Sequence, residues 1–282
     1  MTARPKRAYP QGMDDMILKR IADALERLAP AVKPEQLPDA PACVWHAGQL
    51  RAASGFHPIA LDLLFGIDGQ KQAVLENSRR LAAGHAAHDI LLWGGRGCGK
   101  SAVVKSVAAA VQAEGGRLRL VEASADDLDS LADLFAVLAT DQTPTIVFID
   151  DIGFEQGDPR VRHIRSVLDG GISARPPHVR LYVTANRRHI VPRNLEEQAS
   201  AINPRDAVDD NLALADRFGL SLGFHVCTQD VWLEMVAGYA QHLGLSFDPQ
   251  EALTWVTQRG ARSGRMAWHY AVELAGRAGK TL

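Results

Sequence analysis

The chain is short of cysteine, of long apolar runs and of net charge, and each shortage removes a class of protein. Cys43, Cys98 and Cys227 are odd in number, far apart and form no CxxC pair. A disulfide framework or structural zinc site is therefore not expected, and a reducing cytoplasm is. No apolar run reaches the roughly 20 residues that cross a bilayer. The basic start MTARPKRAYPQG has no apolar stretch behind it, so no secretory signal is expected either. Lys plus Arg is 31 against 33 for Asp plus Glu, a formal charge of −2. A chain living on a nucleic-acid backbone would be more basic, which confines any such contact to a local patch. The ten histidines contain no HExxH or paired metal spacing, so the only metal expected is one carried with a ligand. What is present is 282 residues, 46% of them hydrophobic, enough for one large domain or two smaller ones.

Six of the 14 prolines precede residue 42, and this part reads differently from the rest. Asp14 to Ala29 has Ile17, Ile21, Leu25 and Leu28 at helical spacing, a helix docked on the same chain or on a partner. Pro30, Pro34, Pro38 and Pro41 then predict an extended linker, so residues 1–41 form one section. From Asp62 the pattern alternates. Helices are expected over Gln70–Ala83, Lys100–Ala113, Asp126–Ala139 and Arg160–Leu168. Strands are expected at Ile90–Trp93, Leu118–Val121, Thr145–Ile149, Val179–Thr184 and Leu220–Val226. Five buried apolar strands alternating with helices predict a doubly wound α/β fold with a parallel five-stranded sheet over residues 42–227. After Thr228 only helices are expected, making 228–282 a small all-helical domain. In it Asp248-Pro249-Gln250-Glu251 supplies an N-cap, a proline at the first helical position and a capping-box Glu.

Gly94-Gly95-Arg96-Gly97-Cys98-Gly99-Lys100-Ser101 fits GxxxxGK(S/T) between an apolar strand and a helix. Glycines let such a loop turn its N–H groups onto phosphate oxygens, and the helix N-terminus adds about half a positive charge. Lys100 should reach the β- and γ-phosphates of ATP, and the Ser101 hydroxyl should ligate Mg²⁺. Cys98 sits beside the helix N-terminus, an environment that favours thiolate, but its simpler role is a small residue that fits. The strand Thr145–Ile149 ends in Asp150-Asp151. Asp150 is placed to hold the Mg²⁺ shell and Asp151 to polarise the attacking water, with Glu155 as a backup base or a solvated carboxylate. Asn186, at the end of the next strand, is placed to orient water. Arg187, Arg188, His189 and Arg193 form either a solvated loop or a phosphate-backbone contact.

These motifs together, with Asp216-Arg217-Phe218-Gly219 and the helical C-terminal part, resemble an AAA+ ATPase. The stretches LLWGGRGCGKS, FIDDIGFEQGD, LDGGISARP, TANRRHIVP, ADRFGLSLGF and GARSGR resemble the bacterial AAA+ family called domain-of-unknown-function family 815, over about residues 42–275. The resemblance implies that Asn186 is sensor 1 and that Arg217 is an arginine finger for a neighbouring subunit. It implies that Arg265, with Arg262 as competitor, is sensor 2, and that Asp62–Ile67, Gly66 included, lines the adenine pocket. It further implies a homo-oligomer acting on a protein client. Asp151 stands where many such proteins have Glu, which shortens the reach to the water. Three functions are compatible with these residues: an ATP-hydrolysing remodeller, a slow nucleotide-gated loader, and a P-loop small-molecule kinase.

Overall fold

The computed structural model describes residues 37–152, 175–186, 216–225 and 227–281, with Arg20, Ile164, Val167 and Leu168. The chain divides into two units, Met1–Leu37 and Pro38–Leu282, and the sheet and its helices belong to the second. The expected helix at Asp14–Ala29, Glu155 and the basic run from Arg187 to Arg193 lie outside the described residues. Of the helix expected at Arg160–Leu168, the three described residues are helical.

The sheet has seven strands among the described residues, not five. They are β1 (Ala42–His46), β2 (Gln49–Ala52), β3 (Ile90–Gly94), β4 (Arg119–Ala123), β5 (Thr145–Ile149), β6 (Val179–Ala185) and β7 (Leu220–Phe224). Their order is β2-β1-β4-β5-β6-β3-β7, and every neighbouring pair is parallel except β1 with β2. The two extra strands come from a hairpin whose turn, Ala47-Gly48, has φ of 50° and 74°. Positive φ at both turn positions suits a two-residue hairpin loop, but the usual marker is Asn-Gly or Asp-Gly. An alanine in the left-handed region gives no local signal. Asp127, 80 residues on, supplies the support by accepting from the Ala47 N–H at 3.3 Å.

Alternation along the strands sends side chains to two cores. One face holds Leu91, Val121, Val147, Ile149, Leu181 and Val183 and is covered by Leu131, Leu134, Phe135 and Leu138, the apolar stripe of α3 (Leu131–Leu138). The other holds Ile90, Leu92, Leu120, Ile146, Phe148 and Tyr182. It is covered by α1 (Asp68–Ala82) through Val74 and Leu81, and by α2 (Lys100–Ala113) through Val103, Val104, Val107 and Val111. A sheet buried on both faces explains the near-continuous apolar strands. The stretch expected as one helix from Asp126 begins as a 3-10 turn over Ala125–Ser130. There Ser130 donates to the Asp127 carbonyl at 2.8 Å while accepting from the Trp45 indole at 2.9 Å.

After β7 come α4 (Gln229–His242), α5 (Pro249–Arg259) and α6 (Gly264–Arg277). They close around Trp232, Val236, Tyr239, Trp255 and Tyr270, with Leu63 reaching in from the sheet body. Asp248 caps α5 as expected, accepting from the Gln250 and Glu251 N–H groups at 2.7 and 2.9 Å. The Glu251 carboxylate pairs with Arg277 of α6 rather than reaching back to its own cap. Among the described residues no helix is long and apolar enough to cross a membrane.

Candidate functional site

The site begins where β3 runs out. Gly94, at φ 139°, lies so close to β7 that a Cβ there would sit 2.0 Å from the Phe224 carbonyl oxygen. The Gly95 N–H donates to that same oxygen at 3.3 Å. Side chains at this corner would separate the two strands, so glycine is required by close approach as well as by φ. The loop then delivers the chain into α2, whose first turn has no acidic residue. Its leading N–H groups and dipole thus face the solvent side of the loop uncompensated by a carboxylate of their own turn.

Lys100 opens α2 and is 5% exposed. Its Nζ donates to the Gly94 and Gly95 carbonyls at 3.1 and 2.8 Å and to Asn186 Oδ1 at 2.9 Å. Burial lowers its pKa from the ordinary 10.5, although the nearby Asp150 and Asp151 carboxylates pull the other way. Ser101, next in the helix, donates from Oγ to Asp150 Oδ1 at 2.6 Å. Thr184 of β6 donates to that same oxygen at 2.5 Å. Asp151 has φ 54°, and its N–H donates to Thr184 Oγ1 at 2.8 Å. Its carboxylate accepts from the Asn186 amide and lies 3.9 Å from the Arg96 guanidinium. Asn186 thereby joins the lysine to the second aspartate, using both ends of one amide.

These groups meet at a cavity of 540 Å³. Arg96, Gly97, Gly99, Lys100, Ser101, Asp150, Asp151, Asn186 and Arg265 all line it. The rest of the lining is mainly apolar, with Ile59, Leu64, Tyr239 and Trp268 in it. The Tyr239 and Trp268 rings meet edge to face at 5.4 Å, and burial pushes the Tyr239 phenol up from its ordinary value of 10.0. The N-terminus of α6 closes over the loop, with the Arg265 N–H donating to the Gly97 carbonyl at 3.4 Å. A Cβ on Gly97 would come within 3.0 Å of the Ser263 hydroxyl.

Not every expected residue is at the cavity. Gly94 and Gly95 lie behind it, holding β7 and Lys100 rather than lining the space. Cys98 is also off the lining, and burial raises its thiol from 9.0 against the pull of Lys100, opposite to a thiolate-favouring site. Gly66 packs on α4, where a Cβ would meet Val231 at 2.4 Å, and its neighbour Leu64 lines the cavity instead. Arg217 is exposed on the turn before β7 and Arg262 on the short segment before α6, neither in the lining. Sequence reasoning passes over Thr184, Ile59, Tyr239, Trp268 and Gly264. Thr184 carried a signal, a small hydroxyl between Val183 and Ala185 near the end of a buried strand. The aromatic pair carried none, since both rings fall on ordinary helical core stripes.

Oxygen donors at Ser101 and Asp150 suit a hard cation such as Mg²⁺, which keeps waters and phosphate oxygens as its other ligands. Among the described residues no group of three or more His, Cys, Asp or Glu could hold a metal alone. The pattern therefore fits a cation that arrives with a phosphorylated ligand.

The family model described as Protein of unknown function (DUF815) matches residues 38–278. No curated protein matches the chain. A point variant of Thermotoga maritima RuvB, a Holliday junction branch migration motor, superposes with a TM-score of 0.51 at 18% identity, covering 80% of this chain and 68% of that one. Aeropyrum pernix ORC1, solved in complex with DNA, gives 0.52 at 14% identity, covering 80% and 66%. Domain III of the Thermotoga maritima replication initiation protein DnaA gives 0.50 at 14%, covering 79% and 91%. At such identities the likeness is one of fold alone.

Proposed function

The chain belongs to the family described as Protein of unknown function (DUF815) and has the AAA+ fold, and from that premise we propose that it binds and hydrolyses ATP with Mg²⁺. The observation that carries this is the convergence of Lys100, Ser101, Asp150, Asp151 and Asn186 on one cavity whose remaining lining is mainly apolar. The polar residues have the charge and hydroxyl set for a triphosphate, and the apolar ones, two aromatic rings among them, suit a base. Residues 42–227 act as the nucleotide-binding body and 228–282 as a lid.

Bound Mg²⁺ would neutralise charge building on the phosphate oxygens. Ser101 and Asp150 would hold it, and their direct hydrogen bond already sets them side by side. Lys100 supplies a fixed positive charge beneath the phosphates. Asp151 holds and polarises the attacking water, and Asn186 sets the position of that carboxylate. Arg265 reaches the phosphates from the lid side of the same cavity. Arg217 lies outside it and serves a neighbouring subunit's nucleotide in a homo-oligomer. Hydrolysis then rearranges subunits and, through them, remodels or loads a protein partner in the cytoplasm. RuvB is a branch migration motor and ORC1 is solved with DNA, so a nucleic-acid-associated partner is the first class to test, with the near-zero net charge limiting contact to a local patch.

A second reading, a nucleotide-gated loader that turns over slowly, is favoured by one observation. Asp151 is short, and its carboxylate is engaged by Asn186. Steady-state hydrolysis of the purified protein with and without Mg²⁺, alongside Asp151→Asn, tests the assignment. Asp151→Asn should keep nucleotide bound and lose about 10²–10⁴ in turnover, the usual worth of a general base. Wild-type turnover in that variant would remove Asp151 from the chemistry. A wild type that binds tightly but barely turns over favours the loader.

A further inference from the structure

We propose that Thr184 is a positioning residue that sets both aspartates of the site at once. This rests on the nucleotide reading above. Thr184 is 1% exposed in β6, level with Leu92 of β3. A buried strand threonine commonly satisfies its hydroxyl on nearby backbone. Here the hydroxyl leaves its strand entirely. It donates to Asp150 Oδ1 at 2.5 Å and accepts from the Asp151 N–H at 2.8 Å, 34 and 33 residues away in sequence.

The two bonds do different things. Asp150 Oδ1 has two lone pairs, and the Thr184 and Ser101 hydroxyls take both. The carboxylate plane is thereby held, and Oδ2 is the oxygen left for a cation or its water. Asp151 sits in the left-handed region at φ 54°, a conformation that persists only where neighbours over-determine it. Thr184 holds it from two sides. Its hydroxyl takes the Asp151 N–H, and its carbonyl takes the Ile152 N–H at 2.9 Å. Valine would fill the same volume beside Val183 and Ala185 and would provide neither bond of the hydroxyl. The polar atom is thus accounted for by the two aspartates and by nothing else in the strand.

The test compares Thr184→Val and Thr184→Ser with wild type, using a fluorescent ATP analogue titrated in EDTA and then in graded Mg²⁺, together with turnover. In EDTA the Val variant should bind within about twofold of wild type, since Lys100 and the loop amides are untouched. The Mg²⁺ concentration for half-maximal tightening should rise about 10- to 100-fold, as for other residues that orient a metal ligand. Thr184→Ser, which keeps the hydroxyl, should return it to near the wild-type value. A merely structural role would lower the melting temperature and leave the Mg²⁺ midpoint where it is. If the Val variant does not fold, Thr184→Ala, which also lacks the hydroxyl, is read the same way. An unshifted Mg²⁺ midpoint in a folded variant that lacks the hydroxyl, or a Ser variant that behaves like Val, overturns the proposal. A wild type showing no Mg²⁺-linked nucleotide binding overturns the nucleotide reading and this inference with it.

Discussion

Lys100 is the residue on which the site can be tested most sharply. Its ammonium is buried among three acceptors, the Gly94 and Gly95 carbonyls and Asn186 Oδ1, so a phosphate must take it over from them. Lys100→Met keeps the stem and removes the charge. The loss of one charge-assisted hydrogen bond, about 1.5–3 kcal/mol, predicts ATP affinity about 10- to 150-fold weaker at neutral pH. The pH dependence adds a second signature. Burial disfavours the ammonium, so the folded chain gives up this proton below 10.5, earlier than the unfolded chain does. Between that lowered value and 10.5 the unfolded state holds more protons, and the contribution of Lys100 to stability rises with pH. ATP affinity must run the other way across the same window, because the neutral amine cannot pair with phosphate. In Lys100→Met the share of both slopes that this ammonium contributes should vanish. Calorimetric titration with ATP and chemical denaturation, each from about pH 7 to about pH 10, measure the two trends on wild type and variant. Equal affinity in the two proteins, or an affinity slope unchanged by the substitution, would refute the placement of phosphate at Lys100.

Arg217→Ala should leave ATP affinity intact and reduce hydrolysis sharply, by as much as the roughly 10³–10⁵ found for other arginine fingers. Mixing it with Lys100→Met should restore turnover, whereas no rescue, with activity linear in protein concentration, would place a complete site in one chain. Gly94→Ala should cost about 3 kcal/mol or more, because its Cβ would press on the Phe224 carbonyl at 2.0 Å. A variant melting with wild type would show that β3 and β7 are not so close. Asp141→Asn should cost about 3 kcal/mol, the low end for breaking a buried pair since Asp141 is 27% exposed. It leaves the Arg119 guanidinium, 8% exposed and already without partners at Nε and Nη1, uncompensated. Burial raises the Asp141 carboxyl, but hydrogen bonds from Thr143 and Arg119 outweigh it and hold it below 3.8. That stability is present above 3.8 and lost as pH falls through the lowered value, so denaturation at about pH 7 and about pH 3 should show the variant's deficit shrinking in acid.

The parts legible from sequence are those whose chemistry is complete within a few residues. The loop Gly94–Ser101 declares itself because strand, turn and helix start are contiguous, and α2 spans Lys100–Ala113 as its pattern predicts. The Asp248 cap likewise acts on N–H groups two and three residues away, and Pro249 fixes its own φ at the helix start. β5 is legible for another reason, since burial on both faces leaves an unbroken apolar run. The hairpin at Ala47-Gly48 escapes notice because its turn is held by Asp127 across 80 residues rather than by a turn residue of its own.

The site's assembly was decided by tertiary structure alone. Ser101 meets Asp150 across 49 positions and Lys100 meets Asn186 across 86, because the sheet order sets β3 beside β6 and β6 beside β5. Periodicity tells that a strand exists but not which strand will pair with it. The same holds for the apolar lining of the cavity. Tyr239 and Trp268 read as core positions of α4 and α6, and only the packing of those helices, with the α6 start held on the loop through the Arg265 N–H and the Gly97 carbonyl, brings both into the cavity that Lys100 lines. The residue types and local geometry were written in the chain. Which of them share a cavity depended on pairings between strands and helices, whose free energy arises only once distant segments are buried together.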